Sequence, residues 1–156
     1  MSDKILPSGL HHVGLTVENL QRSIAFYTEH FEMDVVGPWL HEGSGVGRVT
    51  GYPGCSVEQA FLRWRGTSQV IELLQYTNGG PKIDPANGNA GAAHFALLVT
   101  DLDEIYERLL RKGCRFVSPV IQTPPNPVLH ARVVYLLDPD DVRIELVQLC
   151  NTPDKP

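Results

Sequence analysis

The sequence predicts an α+β protein made of two β-α-β-β-β modules, and an internal repeat is the main reason. The stretches HHVGLTVENLQRSIAFYTEHF and HFALLVTDLDEIYERLLRKG follow one order: an apolar run headed by histidine, a polar turn and an amphipathic helix. A shift of 82 residues aligns His12 with His94 and Leu20 with Leu102. Each stretch is followed by further β-type runs, so the chain repeats one unit of supersecondary structure.

The first module is predicted over residues 10–76. Its helix places Leu20, Ile24 and Tyr27 at helical spacing, which gives an apolar face for packing on a sheet. Asn19 is a suitable N-cap residue because its side chain can accept hydrogen bonds from the exposed amides of the first helical turn. The predicted strands are residues 11–17, EMDVVGP after the helix, 58–64 and 68–76.

The second module is predicted over residues 92–149, after a linker at 77–91 that is rich in Gly, Pro and Asn. Asp101 and Glu104 have the spacing of a capping box at the start of its helix. Gly113 lies where helices commonly end in a left-handed residue. The predicted strands are residues 94–99, CRFVSP after the helix, 131–139 and 143–149.

Residues 41–55, HEGSGVGRVTGYPGC, are rich in glycine and are predicted to form a loop. The segment is long for a connection in a compact domain, and loops of this kind often bind ligands. Trp39, Tyr52 and Phe61 are candidate wall residues of a cleft beside it. We expect the two modules and the linker to form a single domain over residues 1–156.

The composition is that of a globular protein and argues against several classes of function. Hydrophobic residues make up 42% of the chain and charged residues 20%, and the net charge of −5 argues against nucleic-acid binding. No run of about 18 apolar residues suggests a membrane span. Cys55, Cys114 and Cys150 form no CxxC pair and are expected to be free thiols. These features favour a cytoplasmic protein.

Histidine and glutamate occupy corresponding positions in the two modules. Successive strand side chains point to opposite faces, so His12 and His94 face away from the apolar residues that pack on the helices. Both modules also contain the phrase IEL, which puts Glu72 and Glu145 in the middle of apolar strands. A buried carboxylate without a partner is costly, so each glutamate must be paired or bound to a cation.

Two histidines and two glutamates at repeat-related positions can converge on one centre if the two sheets pack side by side. Such a set predicts a mixed imidazole and carboxylate site for a divalent metal ion. Each residue taken alone is more commonly a solvated or hydrogen-bonded strand residue, and the repetition is what favours the metal. Nickel, cobalt, manganese, zinc and iron all suit these ligands.

The chain resembles the vicinal-oxygen-chelate superfamily, which includes glyoxalase I, methylmalonyl-CoA epimerase, extradiol dioxygenases and bleomycin resistance proteins. The resemblance rests on HHVGLTVENLQRSIAFYTEHFEM, VIELLQY, AAHFALLVTDLDEIYERLLRKG and YLLDPDDVRIELVQ. It implies that the two modules are paired into a half-open barrel around one divalent metal ion. The implied ligands are His12, Glu72, His94 and Glu145. The family's usual DPDG turn is here DPDD, so Asp141 is expected to adopt a left-handed conformation.

The resemblance further implies a metal-dependent lyase, isomerase or epimerase that removes a proton beside a carbonyl. The metal would act as a Lewis acid on vicinal oxygens or a thioester of a small substrate, and would stabilise the enediolate or enolate. Glu145 is the first candidate for the catalytic base and Glu72 the second. Substrate contacts are expected from Glu58, Arg63 and Tyr135.

Two other functions stay open. An extradiol dioxygenase would use iron, and His130, Tyr135 and Glu145 resemble part of its signature, although His130 is too close to Tyr135 in sequence. A drug-binding protein of the same superfamily would need no metal ligands, and the four retained here argue against it. Exposed strand edges favour a homodimer, with the site formed within one chain or between two.

Overall fold

A computed structural model of the chain describes residues 9–124 and 130–150. The chain divides into two compact units, residues 1–81 and 82–156, and each unit contains one β-sheet with a helix after its first strand. The predicted α+β class is confirmed. In the described part of the chain, no helix has both the length and the apolar character needed to cross a membrane.

The first unit is a four-stranded sheet with an amphipathic helix packed on it. Its elements are β1 (His12–Thr16), α1 (Leu20–Phe31), β2 (Met33–His41), α2 (Ser44–Thr50), β3 (Val57–Trp64) and β4 (Val70–Tyr76). The strand order is β1-β4-β3-β2, with β1 parallel to β4 and the other neighbours antiparallel. Leu20 and Tyr27 of α1 are fully buried, as are Leu62, Ile71 and Leu73 of the strands. These apolar side chains form the core between α1 and the sheet.

The second unit has the same topology. Its elements are β5 (His94–Leu98), α3 (Leu102–Arg111), β6 (Arg115–Phe116), β7 (Ile121–Gln122), β8 (Ala131–Leu137) and β9 (Arg143–Leu149). The strand order is β5-β9-β8-β6, with β7 also paired to β8, and β5 is parallel to β9. Leu102 and Leu109 of α3 are buried, together with Leu136, Ile144 and Leu146 of the strands. In both units the first strand therefore lies beside the last.

The prediction of a loop over residues 41–55 is wrong for the middle of that segment, where α2 forms. Glycine makes the segment resemble a loop, but Gly47 is what allows the following chain to pack on the helix. A Cβ at Gly47 would lie 3.0 Å from the carbonyl oxygen of Tyr52. Thr50 also donates from its hydroxyl to the carbonyl of Val46 at 2.9 Å. This local packing stabilises a helix that intrinsic propensity does not predict.

The predicted second strand of the second module is split in two. CRFVSP contributes only β6, and β7 follows after a gap, although both strands pair with β8. Pro119 lies between them and has no amide hydrogen to donate to a ladder. The first unit has one continuous strand, β2, at the corresponding place.

Of the two predicted helix N-caps, the one at Asn19 is confirmed and the one at Asp101 is wrong. Asn19 is the N-cap of α1, and its Oδ1 accepts a hydrogen bond from the amide of Arg22 at 2.8 Å, as predicted. Asp101 occupies the N-cap position of α3, but its side chain makes no capping hydrogen bond, so the capping-box prediction is wrong. The first amide of that helix, from Leu102, instead donates to Gln148, a residue distant in sequence.

A glutamine from the last strand of each unit anchors the start of the helix. Gln75 Oε1 accepts from the amide of Leu20 at 2.6 Å, and Gln148 Oε1 accepts from the amide of Leu102 at 2.9 Å. Each glutamine lies three residues after the glutamate of its IEL phrase. The glutamine and the glutamate therefore point to opposite faces of one strand. The last strand fixes the helix on one face and presents its carboxylate on the other.

The DPDD turn adopts the conformation that the sequence predicts. Asp141 has a φ of 69°, in the left-handed region, and Gly113 has a φ of 80° after α3. Asp138 is buried and accepts hydrogen bonds from two amides of the turn. Hydrogen bonds from Lys82 and Arg115 hold the pKa of the Asp141 carboxyl below its usual range. These contacts offset the strain of a left-handed aspartate.

Replacing Gln75 by alanine tests the role of this glutamine in anchoring the helix. We expect the free energy of unfolding to fall by about 1 kcal/mol, because the amide of Leu20 loses its acceptor. Urea denaturation followed by circular dichroism measures the change. Gln21→Ala, which alters an exposed residue of α1, is the control. A loss of stability no larger than that of the control would contradict the anchoring role.

Candidate metal centre

His12 and Glu72 lie side by side on the first sheet. Gly14 is in register with Glu72 in the parallel β1–β4 ladder, and a Cβ on Gly14 would lie 3.3 Å from Glu72 Oε2. The missing side chain therefore leaves room for the carboxylate over β1. His12 Nε2 is 3.2 Å from Glu72 Oε2. The exposed fraction is 36% for the imidazole side chain and 12% for the carboxylate side chain, so solvent reaches mainly the histidine.

The second sheet repeats this arrangement with His94 and Glu145. Ala96 is in register with Glu145 in the parallel β5–β9 ladder. His94 Nε2 is 3.5 Å from Glu145 Oε2, and the exposed fractions of the two side chains are 41% and 14%. Both glutamates are flanked in their strands by buried apolar residues that face the helix. Each unit thus presents one His–Glu pair on the sheet face opposite its helix.

An aromatic ring lies beside each histidine, contributed by the residue directly opposite the glutamate in the neighbouring strand. The ring centroid of Phe61 is 5.9 Å from that of His12. The ring centroid of Tyr135 is 5.4 Å from that of His94. Burial raises the pKa of the Tyr135 hydroxyl, and the negative charge of Glu145 adds to the effect. Tyr135 therefore presents a neutral hydroxyl beside the second pair.

The His12–Glu72 pair is part of a larger network of polar side-chain contacts, which the sequence pattern does not predict. Gln59 donates from Nε2 to Oε1 of Glu72, and its own Oε1 contacts His41 Nε2 at 2.9 Å. On the other side, His12 Nδ1 lies 2.8 Å from His11 Nδ1. The signal that could have found Gln59 is the alternation of β3, which puts its side chain on the same face as Glu72.

A cavity of about 600 Å³ adjoins Glu72 in the first unit. Val46 and Val49 of α2 form part of its wall, and Leu74 and Tyr76 of the sheet form another part. The segment predicted as a binding loop therefore does lie beside the candidate site, although it is helical. The volume is in the range of small-molecule pockets.

Two of the predicted substrate-binding residues lie on opposite faces of β3. Glu58 is exposed and in register with Gln75, the residue that anchors α1, so it lies on the helix face and does not meet Glu72. Arg63 is exposed and lies on the same face as Glu72. The structure thus brings Arg63, and not Glu58, to the face of the His–Glu pair.

His130 lies apart from Tyr135. Its Nε2 is 3.5 Å from Gln122 Nε2. Gln122 is in register with Arg132, whose guanidinium donates to Asp103 of α3, so this face of β8 is the helix face. Tyr135 faces the other side. The structure separates two of the residues that resemble a dioxygenase signature.

The donor atoms of the two pairs suit a divalent metal ion. Each pair offers an imidazole nitrogen and a carboxylate oxygen, and the histidine of each is partly open to solvent. Protein metal sites normally use more than two protein ligands. Over residues 9–124 and 130–150, no group of three or more His, Cys, Asp and Glu side chains is placed to hold a metal ion. Each pair alone therefore has too few donors for a typical protein metal site.

These features define a class of protein. The two units share one topology, and each carries a His–Glu pair on the sheet face opposite its helix. This arrangement agrees with the superfamily that the sequence resembles. The chain belongs to the Glyoxalase/Bleomycin resistance protein/Dioxygenase superfamily, whose sequence profile matches residues 9–146. All four candidate ligands lie within the matched range.

Two of the relatives that the chain matches are named as an epimerase and as a lyase. A 2-epi-5-epi-valiolone epimerase from Actinomyces sp is 27% identical over 150 residues, which cover 90% of this chain and 79% of that protein. A "Probable lactoylglutathione lyase" from Synechocystis sp. is 29% identical over 149 residues, which cover 93% of this chain and 98% of that protein. The chain spans 45% of the length of a lactoylglutathione lyase from Arabidopsis thaliana that it also matches.

The fold is shared with solved structures of the same superfamily. A glyoxalase family protein from Bacillus cereus superposes with a TM-score of 0.79 at 27% sequence identity. The similarity covers 97% of this chain and 100% of that chain. The predicted glyoxalase-like fold class is thereby confirmed.

Gly14→Ala tests the geometry of the first pair. The added Cβ would force the Glu72 carboxylate to shift, while the fold should survive because Ala96 occupies the corresponding position in the second unit. We expect zinc affinity, measured by isothermal titration calorimetry, to fall at an unchanged urea midpoint, by less than the roughly tenfold loss that follows removal of an outer-shell partner. Gly88→Ala, whose Cβ would meet nothing within 4 Å, is the control. Unchanged zinc affinity would contradict the expectation that the open space over Gly14 matters for the Glu72 carboxylate.

Proposed function

We propose that the protein is a metal-dependent lyase, isomerase or epimerase that removes a proton from a carbon beside a carbonyl group. The observation that carries the proposal is the repetition of one His–Glu pair in both units, with nitrogen to oxygen distances of 3.2 Å and 3.5 Å. Relatives named as an epimerase and as a lyase support it.

The proposed ligands of one divalent metal ion per chain are His12, Glu72, His94 and Glu145. Both halves must contribute, within one chain or between the chains of a homodimer, because each pair alone has too few donors. Nickel, cobalt, manganese, zinc and iron all suit the donor set. When bound, the ion would supply Lewis-acid chemistry, polarising the substrate carbonyl and stabilising the negative charge left by proton removal.

The two glutamates differ in the number of side chains that support them, and this difference supports Glu145 as the base. Glu72 is next to His12 and accepts a hydrogen bond from Gln59. Glu145 is next to His94, and in the described part of the chain no side-chain amide supports its carboxylate. A carboxylate that can move is better suited to take a proton from a substrate carbon. We therefore assign Glu145 as the general base and Glu72 as a fixed ligand.

The proposed substrate is a small molecule with vicinal oxygens or a thioester. The cavity of about 600 Å³ beside Glu72 can enclose the part of the substrate that does not react. The neutral Tyr135 hydroxyl can donate a hydrogen bond to a substrate oxygen near Glu145. Arg63 can bind a substrate carboxylate, because a guanidinium pairs with both carboxylate oxygens.

Glu145→Gln tests the assigned base. The amide cannot take a proton, so we expect turnover to fall by about 100-fold or more at saturating metal. The substrate is the hemithioacetal of methylglyoxal and glutathione, and formation of the lactoylglutathione thioester is followed by absorbance. Glu58→Gln is the matched control, because it removes the same charge from the helix face of β3 and should leave the rate unchanged.

A second assay covers an epimerase-like reaction. The protein is incubated with a 2-methyl-branched acyl-CoA thioester in D₂O, and deuterium at the carbon beside the carbonyl is measured by mass spectrometry. Full activity of Glu145→Gln in either assay would contradict the role of Glu145. Failure of the unchanged, metal-loaded protein in both assays would count against the proposed reaction itself.

A further inference from the structure

The two units support their glutamates differently, and the difference lies in one strand position. In the first unit Gln59, two residues before the aromatic residue opposite Glu72, donates to the carboxylate. The corresponding residue of the second unit, two residues before the aromatic residue opposite Glu145, is Val133. A valine side chain has no donor. The two units therefore share the His–Glu pair, but only the first has a side-chain amide at this strand position to support its glutamate.

Glu72 fixes the direction of the Gln59 amide, because a carboxylate only accepts hydrogen bonds and the amide NH₂ must therefore face it. An amide oxygen can only accept, so the 2.9 Å contact between His41 Nε2 and Gln59 Oε1 requires the proton on that nitrogen. The contact with His41 then holds the amide oxygen and secures this orientation. The corresponding residue of the second unit, Thr123, instead donates its hydroxyl to the backbone carbonyl of Ala131 at 3.1 Å. The oriented amide is thus confined to the first unit.

We propose that Gln59, supported by His41, is a positioning residue that holds Glu72 as a fixed metal ligand and leaves Glu145 as the freer carboxylate. The inference rests on the proposed metal-dependent function. A hydrogen bond to the second oxygen of a ligating carboxylate fixes its orientation, and loss of such a partner typically weakens metal binding. The Glu72 side chain is only 12% exposed, so water is poorly placed to replace the amide.

Gln59 also lines the cavity beside Glu72, so a direct contact with substrate is the competing role. The two roles differ in the absence of substrate. A positioning residue changes metal binding by the protein alone, whereas a substrate contact changes KM and leaves metal binding unaffected. Metal affinity without substrate is therefore the deciding measurement.

Gln59→Leu removes the amide and keeps a side chain of similar size. In the intact chain we expect Zn²⁺ affinity, measured by calorimetry, to fall about ten- to a hundredfold. The visible absorption spectrum of the Co²⁺-loaded protein should change as well, because the coordination by Glu72 changes. Gln122→Leu, which removes an exposed amide from the helix face of the second sheet, is the control and should change neither.

Val133→Gln is the converse variant, because it offers Glu145 a donor from the corresponding position. We expect its Zn²⁺ affinity to be kept or raised and its turnover to fall, since the base is now held. If Gln59→Leu binds Zn²⁺ and Co²⁺ like the unchanged protein, or raises only KM, the positioning role is overturned while the proposed function stands. If the unchanged protein binds neither metal, the proposed function fails, and the inference fails with it.

Discussion

In each unit a glutamate carboxylate lies in the middle of an apolar strand and needs a polar partner. The histidine at the start of the neighbouring parallel strand provides one. Glu72 and Glu145 are only 12% and 14% exposed, so water cannot fully solvate them and each needs a polar partner within the protein. The adjacent imidazole is a partner that both units supply, and Gln59 adds a second one to Glu72. Parallel pairing of the first and last strands is what brings the two residues together. The same last strand anchors the helix through Gln75 or Gln148 on its other face. In each unit the last strand therefore contributes both to the candidate site and to the anchoring of the helix.

The parts of the site that follow from strand alternation could be read from the sequence. His12 and Glu72 each lie in a strand in which the alternating apolar residues identify the buried face. The second module repeats this pattern with His94 and Glu145. Contacts that depend on cross-strand register could not be read in this way. Gln59 meets Glu72, and Gln148 meets Leu102, only because particular strands and helices are neighbours in space. Helix α2 was missed for another reason, since its glycines serve packing and lower its helix propensity.

The two units have diverged around a common pair. The first has a continuous β2, the added helix α2 and the His41–Gln59 contact, and the cavity beside Glu72 depends on these features. The second has a split strand, with Val133 and Thr123 at the corresponding positions and Tyr135 beside the histidine. One half thus offers a supported carboxylate and an adjoining cavity. The other offers a less supported carboxylate and a neutral hydroxyl, and this difference agrees with the proposed roles of Glu72 as a fixed ligand and Glu145 as a base.

The measurement that tests the account most directly is the metal content of the protein, purified without a metal-affinity tag and dialysed against Zn²⁺, Ni²⁺ or Co²⁺. Elemental analysis should find about one ion per chain for the unchanged protein, and much less for both His12→Ala and His94→Ala, because the proposed ligand set takes residues from both units. Retention of the full metal content by either variant would contradict a shared site. Absence of metal from the unchanged protein would contradict the metal centre altogether.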